Sequence, residues 1–133
     1  MLSLLLTAVL TVNSGQMEPR NYDEAYQLAR TNGRPLMVVV SSDACPACQV
    51  LKTNTIDAMK RDGELEEVNI VVVNKDHDPE LAGRLMRGRM IPQIIVYSQT
   101  GAEWKRLQLT GYQTRVGVRS LIQRAVNFTR IGT

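Results

Sequence analysis

The sequence predicts an α/β fold, with a central mixed β-sheet and helices on both of its faces. Two observations lead to this prediction. Amphipathic helical segments alternate with short apolar runs rich in β-branched residues, in the order αβαβαββα. After residue 16 the 133-residue chain has no internal repeat, low-complexity tract or Pro/Gly/Ser linker, so we expect one domain over residues 17–133.

The first half of this domain predicts two helices with a strand between them. Asn21 is placed to cap a helix over residues 22–31, which ends at the stop signal Asn32-Gly33. Residues 35–40 form a continuous apolar run, which is typical of a strand buried on both faces. A second helix is expected over residues 46–60, because Pro46 suits a first helical position. Its expected inward positions are Val50, Leu51, Ile56 and Met59.

The second half predicts three strands and two helices. Residues 68–73 repeat the buried-strand pattern. Asp78 and Pro79 begin a helix that runs to residue 87 and ends at Gly88. The remaining elements are a strand over 91–97, a turn at Gln99-Thr100-Gly101, an antiparallel partner strand over 104–109 and a helix over 114–128.

The charge is unevenly distributed along the chain. Residues 1–83 carry 7 basic and 12 acidic groups, and residues 84–133 carry 9 basic groups and 1 acidic group. This asymmetry indicates either a surface that attracts acidic partners or an ordinary solvated face. The arginines are scattered and have few aromatic neighbours, so we expect no nucleic-acid partner. We also expect a monomer.

Residues 2–12 are apolar, with the small residues Val12 and Ser14 where a signal peptidase would cut. The run is shorter than the roughly 18 to 20 residues that cross a bilayer, so no integral membrane span is expected. Residues 1–16 resemble a secretory signal peptide, although they contain no Lys or Arg. We therefore expect export, to a periplasm or by secretion; the alternative is an N-terminal strand or helix that packs on the domain.

Both cysteines lie in the motif Cys45-Pro46-Ala47-Cys48, where a buried strand passes into a helix. Unpaired amide hydrogens and the positive end of the helix dipole surround the first cysteine, so Cys45 is expected to be the more acidic thiol. A Cys45 thiolate would attack a substrate disulfide, and Cys48 would resolve the resulting mixed disulfide.

The motif could also be part of a zinc site, a structural disulfide or a Cu(I) site. A closed zinc site needs four ligands, and the chain offers Cys45, Cys48 and His77, its single histidine, which we expect in solvent. We therefore expect no metal and no cofactor. A structural disulfide would close a loop of only two residues and remove little unfolded-state entropy. Capture of Cu(I) by the two thiolates stays open.

The chain resembles the thioredoxin superfamily over roughly residues 22–128. The shared features, in order, are the strand 36–40, the Cys45 to Cys48 motif, Ile91-Pro92-Gln93 before a strand, and Gly111-Tyr112 before the last helix. The lead-in Tyr22-Asp23-Glu24-Ala25 and the segment Asn32-Gly33-Arg34-Pro35 are most similar to thioredoxin-like domains of exported thiol:disulfide interchange proteins.

This resemblance implies a thioredoxin fold and an enzyme that exchanges its dithiol or disulfide with those of proteins or small molecules, as part of cell redox homeostasis. An upstream thiol-disulfide partner is also implied. Pro92 would be a cis-proline facing the cysteines, and the backbone of Ile91 would pair with an extended substrate. Arg89 and Met90 would give the substrate groove a basic rim. The implied substrate-binding residues are Pro46, Ala47, Met90, Ile91 and Pro92.

The chain also departs from the thioredoxin pattern. Ala44 stands where thioredoxins have Trp, Pro46-Ala47 replaces Gly-Pro, and valines at 38–40 replace a buried Asp. The nearest acid, Asp43, either raises the pKa of Cys45 by like-charge proximity or faces solvent. The sequence therefore does not predict the redox direction. The second hypothesis is a binding module on the same fold, which handles metal or docks a protein without redox turnover.

Overall fold

The computed structural model describes residues 18–131, and its elements follow the expected order. The helices are α1 Tyr22–Asn32, α2 Pro46–Val50, α3 Asp57–Arg61, α4 Pro79–Leu85 and α5 Arg115–Ile131. The strands are β1 Leu36–Ser41, β2 Asn69–Asn74, β3 Gln93–Thr100 and β4 Glu103–Thr110. A π-helical segment, Leu51–Ile56, connects α2 to α3.

The four strands form one mixed sheet in the order β2-β1-β3-β4. Strand β1 runs parallel to β2 and antiparallel to β3, and β3 forms a hairpin with β4. All six residues of β1 are buried, as its sequence predicts. The prediction that residues 68–73 are buried on both faces is wrong, because β2 lies at the sheet edge and leaves Val72 45% exposed.

Helices cover both faces of the sheet, which confirms the predicted α/β architecture. On one face the α2–π–α3 stretch and α5 pack on Met37, Val39, Ile94 and Val96. On the other face α1 and α4 pack on a second cluster, which contains Val38, Val40 and Ile95. The alternating residues of β1 therefore belong to separate cores, since successive strand side chains point to opposite faces.

Helix α1 begins and ends as its sequence predicts. The Asn21 side chain accepts a hydrogen bond from the Glu24 amide at 2.9 Å, which satisfies one of the free amides of the first turn. Gly33 ends the helix with φ 73°, a left-handed conformation that glycine adopts without steric cost. The other predicted elements differ from the observed ones by a few residues at their ends; α4, for example, stops at Leu85.

The helical stretch after the cysteine motif is not uniformly α-helical. Its wider π-helical turn lets Leu51, Thr55 and Ile56 all face the core. The prediction that Val50 points inward is wrong, because its side chain is 43% exposed. Val50 precedes the π-helical segment, and the core-facing positions there are Cys48 and Leu51, on the opposite side from Val50.

No helix between residues 18 and 131 combines the length and apolarity that crossing a bilayer requires. The predicted signal peptide at residues 1–16 lies outside the described residues. Export therefore stays a prediction.

Candidate functional site

Four loops meet at the carboxyl end of β1. Register places Ser41 opposite Asn74 of β2, Val40 opposite Gln93 of β3, and Gln93 opposite Thr110 of β4. The segments that leave these positions are 42–45, 75–78, 87–92 and 111–114. The end of the sheet at the carboxyl terminus of β1 therefore carries the cysteine motif and the segment that contains Pro92. We call this end of the sheet the site edge.

The two cysteines form a disulfide at the start of α2, with their Cα atoms 5.2 Å apart. Cys45 is the N-cap residue, and its Sγ accepts a hydrogen bond from the Cys48 amide at 3.2 Å. Cys45 is 9% exposed and Cys48 is fully buried. Pro46 and Ala47 between them are exposed. Cys45 therefore keeps a small solvent-accessible area, whereas Cys48 is shielded by the fold.

Pro92 lies at the site edge as well, immediately before β3. The Ile91–Pro92 peptide bond is cis, and the Pro92 carbonyl accepts a hydrogen bond from the Gly111 amide at 2.8 Å. Met90 is exposed, Ile91 is partly exposed and Pro92 is buried. The structure thus brings the sequence-predicted site residues to one edge, and their roles toward a substrate stay predictions.

Gln93 is a site residue that sequence reasoning missed. Its side chain is fully buried, and its Nε2 donates hydrogen bonds to the carbonyls of Arg87 at 2.9 Å and Met90 at 3.0 Å. The only sequence signal is a polar residue at the start of an apolar strand. This side chain fixes the backbone conformation of residues 87–90 beside Pro92.

A polar cluster lies on the other side of the cysteine motif. The Asp43 carboxylate accepts a hydrogen bond from Asn74 Nδ2 at 2.8 Å and lies 3.1 Å from His77 Nε2. The Asp43 amide donates to Asp76 Oδ2 at 2.8 Å. Asp43 and His77 are both solvent-exposed, as expected for His77, but they also contact each other. The cluster ties the loop before Cys45 to the turn between β2 and α4.

Large apolar side chains are exposed near this edge. Val50 lies on the cysteine-bearing helix, Met90 precedes Ile91, and Tyr112 follows Gly111. The segment after Tyr112 is hydrogen-bonded to the π-helical segment, because the buried Thr55 hydroxyl donates to the Gln113 carbonyl at 2.9 Å. The site thus combines a cysteine pair at the start of a helix with apolar side chains available for contact. Within residues 18–131, no group of three or more His, Cys, Asp or Glu side chains is arranged to hold a metal ion.

Known proteins resemble the chain at the level of family and of structure. A family model described as thioredoxin-like matches residues 16–98. A thioredoxin from Thermus thermophilus superposes with a TM-score of 0.67 and 27% identity, covering 79% of this chain and 83% of that chain. For Fasciola hepatica thioredoxin the TM-score is 0.61 and the identity 19%, covering 77% and 92%.

A chloroplastic thioredoxin z gives a TM-score of 0.62 at 17% identity, covering 78% of this chain and 89% of that chain. At that identity the likeness concerns the fold alone. Comparison with curated proteins gives no significant match.

Proposed function

The chain belongs to the thioredoxin-like family, and on that premise we propose that it exchanges its Cys45–Cys48 dithiol or disulfide with protein substrates through a mixed disulfide. The observation that carries the proposal is the unequal exposure of the two cysteine residues, 9% for Cys45 and 0% for Cys48. An exchange reaction of this kind needs one accessible nucleophile and one protected thiol that acts only afterwards.

In the reducing direction the exchange has two balanced steps. The Cys45 thiolate attacks one sulfur of a substrate disulfide, forms a mixed disulfide and releases the other substrate sulfur as a thiolate. The Cys48 thiolate then attacks Cys45 Sγ, which closes the Cys45–Cys48 disulfide and releases the second substrate thiolate. Two electrons pass from the cysteine pair to the substrate disulfide, and the reverse sequence oxidises a substrate dithiol.

The start of α2 supports the role of Cys45 as the nucleophile. The Cys48 amide donates to its sulfur, and the first helical turn presents the positive end of the helix dipole. Both features favour a thiolate over a thiol at this position. The Cys48 sulfur has no solvent exposure, so a substrate meets Cys45 first.

The residues around the sulfurs suit contact with an extended substrate. We propose that the backbone of Ile91 pairs with it, while Pro92 shapes the site. Pro46, Ala47 and Met90 would contact its side chains, since all three are exposed at this edge.

An external thiol-disulfide partner is needed for repeated turnover, because each cycle leaves the cysteine pair in the opposite redox state. We also propose that the chain is exported, on the strength of the apolar run at residues 2–12. Mass spectrometry of the protein recovered from its native host would test export. An N-terminus near residue 17 supports it, and an N-terminus at Met1 contradicts it.

The experiment that tests the function measures reduction of a fluorogenic peptide disulfide, with excess dithiol to regenerate the protein. We expect Cys45→Ser to abolish turnover above the rate of the dithiol alone. Cys48→Ser, reduced and assayed in a single turnover without dithiol, should stop at the mixed disulfide. The control is Gln49→Ala, an exposed position on the same helix that should keep the wild-type rate. Full activity in Cys45→Ser would contradict the proposal.

A further inference from the structure

The segment Arg87-Gly88-Arg89-Met90 beside Pro92 is held in place by side-chain hydrogen bonds. The buried Gln93 amide donates to the Arg87, Gly88 and Met90 carbonyls and accepts from the Arg87 amide at 3.3 Å. Gln108 Nε2 on β4 also donates to the Arg87 carbonyl at 3.3 Å. The backbone is therefore fixed although its side chains are exposed, so little ordering entropy is lost when a partner binds there.

Arg87 and Arg89 carry charges that the rest of the described chain does not neutralise. Both are exposed, and neither guanidinium makes an ion pair or hydrogen bond with residues 18–131. On α5, by contrast, Arg119 pairs with Glu64 and Arg115 lies 2.7 Å from Asp62. The two cations of the loop are thus available to an external anion.

Arg106 is a third cation without a carboxylate partner; it lies over the Tyr97 ring and is linked to the loop through Gln108. Its guanidinium donates to the Tyr97 hydroxyl at 3.0 Å and to the Gln108 side chain, both of which are neutral acceptors. Its Nε is buried with no hydrogen-bond partner in the described part of the chain. Partial burial of a cation with no carboxylate beside it costs folding free energy, because the charge loses hydration. From here on, the basic rim means the three arginines Arg87, Arg89 and Arg106.

A groove of about 440 Å³ lies between α4 and the 87–90 segment, with Arg89 of the rim in its lining. Lys75 and Arg89 border it, and its apolar lining includes Ala82 and Met86. The groove has one carboxylate in its lining, Asp76. That carboxylate already accepts a hydrogen bond from the backbone amide of Asp43. Lys75 and Arg89 therefore offer two cations to an acidic side chain that enters this groove.

We propose that the protein prefers substrate segments that carry Asp or Glu next to the reacting cysteine, selected by the basic rim. This inference rests on the proposed function and names its substrate class. The uneven chain charge supports it, since residues 84–133 contain nine of the basic groups and one acidic group. Complementary charge at a rim raises the association rate and improves discrimination between partners.

The test compares three peptide disulfides that differ only in the two residues on each side of the cysteine, which are Glu, Ala or Lys. We expect kcat/KM to be about three- to tenfold higher for the Glu peptide than for the Ala peptide, and lowest for the Lys peptide. The preference should shrink in about 0.5 M salt, where screening acts over only a few ångströms.

The deciding variant is Arg87→Gln/Arg89→Gln, which should bring the Glu-to-Ala ratio close to one. Its matched control is Arg61→Gln/Arg124→Gln, which removes the same charge from exposed positions on α3 and α5 and should keep the wild-type ratio. Equal wild-type turnover of all three peptides, or an equal loss of preference in both variants, overturns the inference and leaves the proposed function standing. Reduction of none of the peptides contradicts both.

Discussion

The side chain of Gln93 binds the backbone of Arg87 at both ends, with Nε2 donating to the carbonyl at 2.9 Å and Oε1 accepting from the amide at 3.3 Å. The fully buried side-chain amide thus satisfies backbone hydrogen-bonding groups of this loop, as a neighbouring strand satisfies those of an extended segment. The geometry of the 87–90 segment beside Pro92 consequently depends largely on this side chain, with one further hydrogen bond from Gln108 to the Arg87 carbonyl.

Replacing that amide should loosen the segment. Gln93→Leu keeps a similar volume but removes the hydrogen-bond partner of the Arg87 amide and of the Gly88 and Met90 carbonyls. We therefore expect a loss of about 1 to 3 kcal/mol in the free energy of unfolding. Native-state trypsin should then cut faster after Arg87 and Arg89. Gln123→Leu, at an exposed site on α5, is the control. Unchanged stability and cleavage would show that Gln93 does not hold the loop.

The bond between Thr55 and Gln113 should stabilise the segment that carries Tyr112. Thr55→Val retains the β-branched shape and removes the buried hydroxyl, so the Gln113 carbonyl loses its partner. We predict a loss of about 1 to 2 kcal/mol in urea unfolding. The same change at Thr53, which is exposed on the same helical stretch, should be nearly neutral. Equal effects at the two sites would contradict the assignment.

The start of α1 should make a pH-dependent contribution to stability. Hydrogen bonds from the Arg20 amide and guanidinium hold the pKa of Glu24 below its ordinary value of 4.5. A lowered folded-state pKa means that the contribution is present above the unfolded-state pKa and is lost as pH falls through the folded-state value. Glu24→Gln should therefore lower Tm slightly at pH 7, and the difference should vanish in acid.

The control for that measurement is Glu67→Gln, which removes the same charge from an exposed glutamate outside α1. A Tm difference between wild type and Glu24→Gln that persists unchanged in acid would contradict the linkage.

Local patterns predict much of the fold and the centre of the site. The all-apolar run of β1 and the cap at Asn21 are determined by neighbouring residues, so the sequence predicts them correctly. The cysteine motif is equally local, because its spacing alone places both sulfurs on one helical turn. These features need no knowledge of distant contacts.

The errors arise where distant segments decide the outcome. The apolar composition of β2 resembles that of a central strand, and only the strand order places Val72 at an edge. The contact between Asp43 and His77 joins residues 34 positions apart, and no periodicity indicates it. The bonds of Gln93 likewise depend on the path of a loop that has no regular pattern.

The most direct test of the central claim is to trap the mixed disulfide. Reduced Cys48→Ser protein is mixed with a peptide disulfide at neutral pH, quenched in acid and analysed by intact-mass and peptide-level mass spectrometry, with Cys45→Ser treated identically. We predict an adduct of one peptide on Cys45 in the first variant and little or no adduct on Cys48 in the second, because Cys48 is buried. Faster adduct formation on Cys48 than on Cys45, or none on either, would contradict the proposed function.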